Sequence, residues 1–283
     1  MKKKKVEQEP EFFLSATNMP VLNYRVYNMK PLEKILTFLV AFAAGAGVGY
    51  LFYGGIGKDE FGNPTTLTWT LNIVIPLVIG CIAGKLFIPM RVKSIIEKRR
   101  SELNHQFRDM LEALTTSLGA GKNVNDSFFA VYEDMKVQYD SDAYILKELE
   151  VIISGIHNNV AIEDVLQNFG ERSDIDDIKS FANVFKISYR KGGNIKDIIR
   201  NTRSILSDKM EIAEDIETLV TSNKMEQNIM IVMPIALIGV IKMMSPEFAA
   251  NFVTPTGIIS TTISIAIFVI AYFIGRAVLD IKM

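Results

Sequence analysis

The chain has 283 residues, 49% of them hydrophobic and 22% charged, with a formal net charge of -1, two histidines and one cysteine. That near-neutral balance excludes the basic footprint of a nucleic-acid binder. A single cysteine excludes a disulfide framework or a cysteine zinc cluster, and His105 and His157 lack ligand spacing, so no metal or cofactor is expected. The overall composition is close to that of soluble proteins; the information lies in how the apolar residues are segregated.

Residues 1–30 carry Lys2, Lys3, Lys4, Lys5, Arg25 and Lys30, too polar a start for an ordinary cleaved signal peptide. Phe12, Phe13, Leu14, Val21, Leu22, Tyr24 and Tyr27 read as an interfacial segment. Ile35–Gly57 and then Thr65–Gly84 contain no ionisable side chain, and each reaches the ~20 residues that cross a ~30 Å hydrocarbon core. Ala41, Gly45 and Gly49 form a small-residue ridge suited to close helix packing. Pro76 is expected to kink the second span. Arg91, Lys93, Lys98, Arg99 and Arg100 follow as an anchor against anionic lipid.

The block 91–227 is polar, and its apolar residues recur at helical spacing. Val92 to about Leu118 continues from the membrane with a stripe of Phe107, Met110, Leu111, Leu114 and Leu118, ended by Gly119 and Gly121. Asn125 or Asp126 is expected to cap a helix through Gln138. Ser141 or Asp142 opens another, Ala143 to Ser154, ending at Gly155, and Asn158 and Asn159 make the turn before Ile162–Gly170. Asp174 or a neighbour caps Ile175–Lys191. Gly192, Gly193 and Asn194 then break the chain, and a last helix runs from Ile195 towards Met225. Six helices joined by Gly- and Asn-rich turns predict a bundle.

No catalytic set emerges, and the chain is read as not an enzyme. Leu118–Asn123 has no Ser or Thr after Lys122 and no preceding strand, so it is not a phosphate loop. Asp174, Asp176 and Asp177 lack the Gly and distal Glu of a calcium loop and read as an acidic helix start.

The third span, Asn228–Ile241, is short; Met243 and Met244 extend it and Lys242 is expected to snorkel. That length also fits a buried or re-entrant helix. Pro234 lies inside it. Phe248–Gly275 is a fourth uncharged run. Lys and Arg crowd the tail, the block after the second span and the Arg276/Lys282 end, whereas the Lys58 connector holds one basic residue and 246–256 none. Lys/Arg excess marks the cytoplasmic side. The expected fold is an all-α polytopic membrane protein: a cytoplasmic tail 1–30, a transmembrane hairpin 31–90, a cytoplasmic six-helix-bundle domain 91–227 and a second hairpin 228–283, with both termini cytoplasmic. Among ionisable groups only Lys85 and Lys242 intrude on the spans, both near span ends, which favours a packed anchor over a membrane transporter. A membrane-anchored signalling or scaffold protein is the other alternative.

Phe107-Arg108-Asp109-Met110-Leu111-Glu112-Ala113-Leu114, with Leu118, Gly121 and Phe128, resembles the opening signature of the type II secretion system F domain. Its later parts are matched by Glu148–Ile153 with Gly155, Phe169-Gly170-Glu171-Arg172-Ser173 and Arg190-Lys191-Gly192-Gly193-Asn194, then Ile198 and Ile199. Met243–Phe248 followed by Thr254-Pro255-Thr256-Gly257 is similar to the outward connector of the tight-adherence, TadB-like branch of Flp pilus assembly. The resemblance covers about Pro31 to the C-terminus. It implies a platform protein in the cytoplasmic (inner) membrane that couples a hexameric secretion ATPase to pilin extraction. One helical domain instead of two implies pairing with itself or with a TadC-like subunit. Gly121, Gly155, Glu171, Arg172, Gly192 and Gly193 are then the candidate partner contacts, beside the plain alternative that such glycines end helices and the Glu-Arg pair is structural.

Overall fold

The computed structural model describes residues 10–15, 19–57 and 63–279. The lysines at 2–5, Lys58 and Lys282, on which part of the charge argument rests, lie outside the described residues, as does the Arg276 side chain. The protein is all-α apart from a two-stranded ribbon. In chain order come β1 (Phe12–Leu14), β2 (Pro20–Leu22), α1 (Pro31–Tyr53), α2 (Thr66–Gly119), α3 (Val124–Gln138), α4 (Tyr144–His157), α5 (Ile162–Ser173), α6 (Asp176–Arg190), α7 (Ile195–Met244), α8 (Pro246–Asn251) and α9 (Pro255–Leu279). They form two compact units. A helical unit combines the N-terminal segment through Asn28 with Val92–Glu211, and a second unit combines Met29–Arg91 with Ile212–Met283.

In the helical unit the expected stripe on α2 is the spine of the core: Phe107, Met110, Leu111 and Leu114 are inaccessible to solvent, Leu118 is only partly buried, and Leu103, outside the expected stripe, is inaccessible as well. Phe107 meets Phe169 of α5 and Phe181 of α6 edge-on, with ring centroids 6.1 and 5.5 Å apart. That geometry adds to burial, because the positive ring edge faces a negative ring face. Three expected helix starts are corrected. Asn123, not Asn125 or Asp126, caps α3: its Oδ1 accepts from the Asp126 amide at 2.8 Å. At α4 neither Ser141 nor Asp142 caps; the Gln106 side chain of α2 accepts from the Ile145 amide at 3.0 Å, so a tertiary contact replaces the local one. Asp174 does not open α6 but closes α5, in a left-handed conformation at φ 55°, and α6 starts at Asp176.

The helix ends shift too. Glycine inside a helix costs only about 1 kcal/mol relative to Ala, so packing can carry a helix through it. Accordingly α4 passes Gly155 and ends at His157, and α5 passes Gly170 and ends at Ser173.

Part of the N-terminal segment packs on the helical unit and part of it stays exposed. Val21 and Tyr24, 3% and 1% exposed, belong to the core of the helical unit. The ribbon that carries Val21 pairs Phe12 with Leu22, Phe13 with Val21 and Leu14 with Pro20.

In the second unit α1 and α2 approach through small residues. A Cβ added at Gly45 would lie 2.7 Å from the Ala83 Cβ, and one at Gly80 would lie 2.8 Å from the Phe42 ring. Among the described residues four helices are long and apolar enough to cross a membrane: Pro31–Tyr53, Thr66–Gly119, Ile195–Met244 and Pro255–Gly275. Neither Pro76 and Pro89 in α2 nor Pro234 in α7 ends its helix. Lys242 does more than snorkel. Its Nζ donates to the carbonyl oxygens of Leu51 (2.7 Å) and Phe52 (3.3 Å) at the end of α1, and lies 4.8 Å from the centroid of the Phe252 ring. A cation there satisfies acceptors that the helix itself leaves unpaired. The uncharged run Phe248–Gly275 is not one helix. Ser245 caps α8, accepting from the Phe248 amide at 3.3 Å, and Thr254 accepts from the Gly257 amide at 3.1 Å to start α9 at Pro255.

Candidate partner-binding face and N-terminal latch

The six candidate contacts separate into three places in the helical unit. Leu118, Lys122, Val124, Phe129, Ile156 and Tyr189 line one open groove of about 610 Å³, which brings together the ends of α2, α4 and α6 and the start of α3. Gly121 lies in the turn beside it, and Gly192 and Gly193 follow the end of α6, after Arg190 and Lys191. Gly121 and Gly192 have φ of 87° and 69°, and nothing lies within 4 Å of a Cβ at either. Backbone conformation, rather than crowding, demands glycine there. Both are exposed, as is Gly193. Gly155 is not part of this surface. It is buried within α4, where a Cβ would lie 2.8 Å from Val165 Cγ2.

Glu171 and Arg172 sit at the other end of α5, which advances roughly 14 Å from Ile162 to Glu171 at 1.5 Å per residue. Glu171 is exposed. Arg172 is 5% exposed, and its guanidinium is spent internally. It donates to Glu148 of α4 through two nitrogens (3.0 and 2.7 Å), to the Leu22 carbonyl (2.8 Å) and to Asn168 (2.7 Å). The Arg172 guanidinium is taken up by these partners, and its ion-pair partner is Glu148 of α4, not the adjacent Glu171. Tyr24 completes the cluster. Its hydroxyl donates to Glu148 Oε1 at 3.0 Å and its amide to the Arg172 carbonyl at 3.1 Å. Burial first, then the adjacent Glu148 carboxylate, pushes the Tyr24 phenol well above its ordinary range, so it stays neutral and donating.

A second ring of charges closes over this latch. Arg25 donates to the Glu171 carbonyl at 2.9 Å, and Asp174 pairs with Arg25 (3.5 Å), Arg100 (3.4 Å) and Lys179 (2.8 Å). Burial alone would raise Asp174, but the Lys179 hydrogen bond and the charges of Arg100, Lys179 and Arg25 outweigh it and hold the carboxyl below its usual range. Arg99 lies 5.1 Å from the Tyr27 ring centroid and bonds the Val26 carbonyl at 3.4 Å. The N-terminal arm is thus fastened to α2, α4 and α5 by side chains of both signs.

The sequence reading missed Tyr24 and Glu148, and a signal existed. Glu148 falls in the apolar stripe Ile145, Leu149 and Ile152, and Arg172 falls in the stripe Val165, Leu166 and Phe169. Opposite charges at core positions of neighbouring helices call for each other.

In the second unit an apolar groove of about 580 Å³ is lined by Phe52, Pro234, Ile238, Ile265, Phe268 and Tyr272, among others. Among the described residues no group of three or more His, Cys, Asp and Glu side chains converges as a metal site. No family model, curated protein or solved structure matches the chain.

Proposed function

We propose that this chain is a platform subunit of the cytoplasmic membrane, of the type II secretion F-domain, TadB-like kind that its sequence resembles, and not an enzyme. In this reading the helical unit is cytoplasmic and receives the stroke of a hexameric secretion ATPase. The second unit lies in the bilayer, and pilin is the cargo drawn from the membrane. A TadC-like subunit or a second copy supplies the other half of the platform.

The observation that supports the reading best is the continuity of α2 and α7. Each runs without a helix break from one compact unit into the other, past residues 91 and 211 respectively. A helix is the stiffest connection a chain can make, and a mechanical coupler needs two of them. The turn face at Gly121 and Gly192 is the proposed ATPase contact, because it is exposed and joins three helix ends.

The test is affinity purification of the tagged full chain from native membranes. Co-purification of a secretion ATPase and a second F-domain subunit is expected. Lys122→Glu with Lys191→Glu, both exposed on the turn face, should abolish ATPase recovery and piliation without loss of the protein from the membrane. Recovery of neither partner would overturn the platform reading. Unchanged recovery in the double variant would overturn the assignment of the face.

A further inference from the structure

The outer face of the β1–β2 ribbon is apolar and charge-free, and among the described residues nothing in the helical unit covers most of it. Successive strand residues alternate sides, so the register puts Val21 and Phe13 on one face and Phe12, Leu14, Pro20 and Leu22 on the other. Val21 is packed into the core, which fixes the inner side. Leu22 leans partly on that core, while Phe12 and Leu14 are 58% and 73% exposed and Pro20 is exposed as well. Natural edge strands are usually blunted with charge. These two strands, FFL and PVL, carry none.

The tether limits what can cover this face. Leu22 and Pro31, the first residue of a helix apolar enough to cross a membrane, are joined by at most roughly 32 Å of extended chain. The Arg99 bond to the Val26 carbonyl fastens the arm further along, and from Val26 to Pro31 the chain can extend only roughly 18 Å. The length of the tether therefore permits the ribbon to meet the bilayer surface. Basic residues flank it in sequence on both sides, Lys2–Lys5 before and Lys30 and Lys34 after. Aromatic and aliphatic side chains beside lysines suit the boundary between headgroups and acyl chains of an anionic leaflet. A second copy fits less well. Four side chains fall well short of the roughly 1,200 Å² that a stable interface buries, and three-residue strands offer few ladder bonds to a further strand.

We infer that the ribbon is an interfacial membrane anchor: Phe12, Leu14 and Pro20 enter the headgroup region of anionic lipid while Val21 and Tyr24 hold the other side to the helical unit. The inference rests on the membrane reading of the four apolar helices and is independent of the platform reading.

The test uses the full chain in nanodiscs of phosphatidylcholine with phosphatidylglycerol, carrying nitroxide-labelled lipid at shallow depth. The only tryptophan, Trp69, is replaced by Phe. A reporter is placed at Leu14→Trp or, as a control elsewhere on the helical unit, at the exposed Val137→Trp. The expected result is blue-shifted emission at position 14 and quenching roughly twofold or more above the control, decreasing in phosphatidylcholine alone and on adding Phe12→Asp. Equal quenching of the two reporters overturns the inference. So does protection that depends on protein concentration and not on labelled lipid, which would mean that a second copy covers the face. Quenching that persists with Phe12→Asp also overturns it. The helical unit should fold normally in each variant, because both altered ribbon side chains are exposed, and amide exchange in α4 and α5 verifies this.

Discussion

Removing one member of the buried Glu148–Arg172 pair should destabilise the helical unit far more than removing the tyrosine that joins it. Glu148→Ala deletes a carboxylate held at 2.7 and 3.0 Å and leaves the Arg172 guanidinium buried, with Leu22 and Asn168 oxygens as remaining acceptors. Breaking such a pair costs about 3–5 kcal/mol, most of it the desolvated charge left behind. Tyr24→Phe removes one hydrogen bond to a carboxylate that Arg172 still neutralises, and costs about 1–2 kcal/mol. Glu148→Met with Arg172→Met leaves neither charge, so its cost should fall below the sum of the singles by at least about 2 kcal/mol. Amide exchange of α4 and α5 in the full chain reads this directly. At about tenfold per 1.4 kcal/mol, Glu148→Ala accelerates exchange by two to nearly four orders of magnitude and Tyr24→Phe by roughly one. Exchange in Glu148→Ala within about threefold of the unaltered protein would refute the desolvation argument. Equal effects of Glu148→Ala and Tyr24→Phe would refute the ranking.

Gly155→Ala should destabilise despite its better helix propensity, because an overpacking cost of about 1–3 kcal/mol opposes a gain of at most ~1 kcal/mol; thermal unfolding should show recovery when Val165→Ala is added, since Val165 Cγ2 is the atom met at 2.8 Å. Gly121→Ala should cost about 1–2 kcal/mol through its positive φ alone, and Gly121→Asn less. Lys242→Met should lower the melting temperature in detergent, with a cost of about 1–3 kcal/mol for the α1 carbonyls it leaves unpaired. Burial and the Asp109 hydrogen bond push the Tyr139 phenol up to about 12. A raised value means that the neutral form is favoured in the folded state, so this contribution is complete below ~10 and is lost as pH rises through about 12. Ultraviolet titration should show Tyr139 among the late tyrosines, with Tyr24 and Tyr132, and Asp109→Asn should move Tyr139 alone earlier.

The four apolar helices were legible because charge is excluded from them and crowded elsewhere, a pattern that needs no tertiary knowledge. The α2 stripe was legible for the same kind of reason: Phe107, Met110, Leu111 and Leu114 follow the helical period and are all buried. Helix ends were legible only where local chemistry set them. Asn158 and Asn159 were placed correctly, and Asn159 takes the left-handed conformation that favours Asn. The start of α4 was not legible, since the amide of its second residue, Ile145, is satisfied by Gln106, 39 positions earlier. The turn at Asp174 was misread because an aspartate before a helix suits an N-cap and a left-handed C-cap alike. The latch was hidden for a further reason. Tyr24 lies in a stretch whose apolar spacing suggests a membrane interface, and its partner Glu148 lies 124 positions away.

What the spanning helices do with their polar side chains bears on the choice between an anchor and a conduit. A conduit needs groups that face its cargo and are left incompletely paired until the cargo arrives. In the second unit several polar groups are paired within the protein instead. Asn72 accepts from the Gly55 amide at 2.8 Å, Tyr53 and Thr262 bond each other at 3.0 Å, Gln227 donates to the Tyr272 carbonyl at 3.3 Å, and Lys242 closes α1. Each ties two helices, or a helix and its connector, within that unit. Among the described residues the buried side-chain polar atoms without a partner are on Arg99, Asn104, Ser117, Ser127, Gln167 and Arg203, all of them in the helical unit. The bonds of Tyr53, Gln227 and Lys242 join the apolar helices of the second unit to one another, which supports the anchor reading over the conduit.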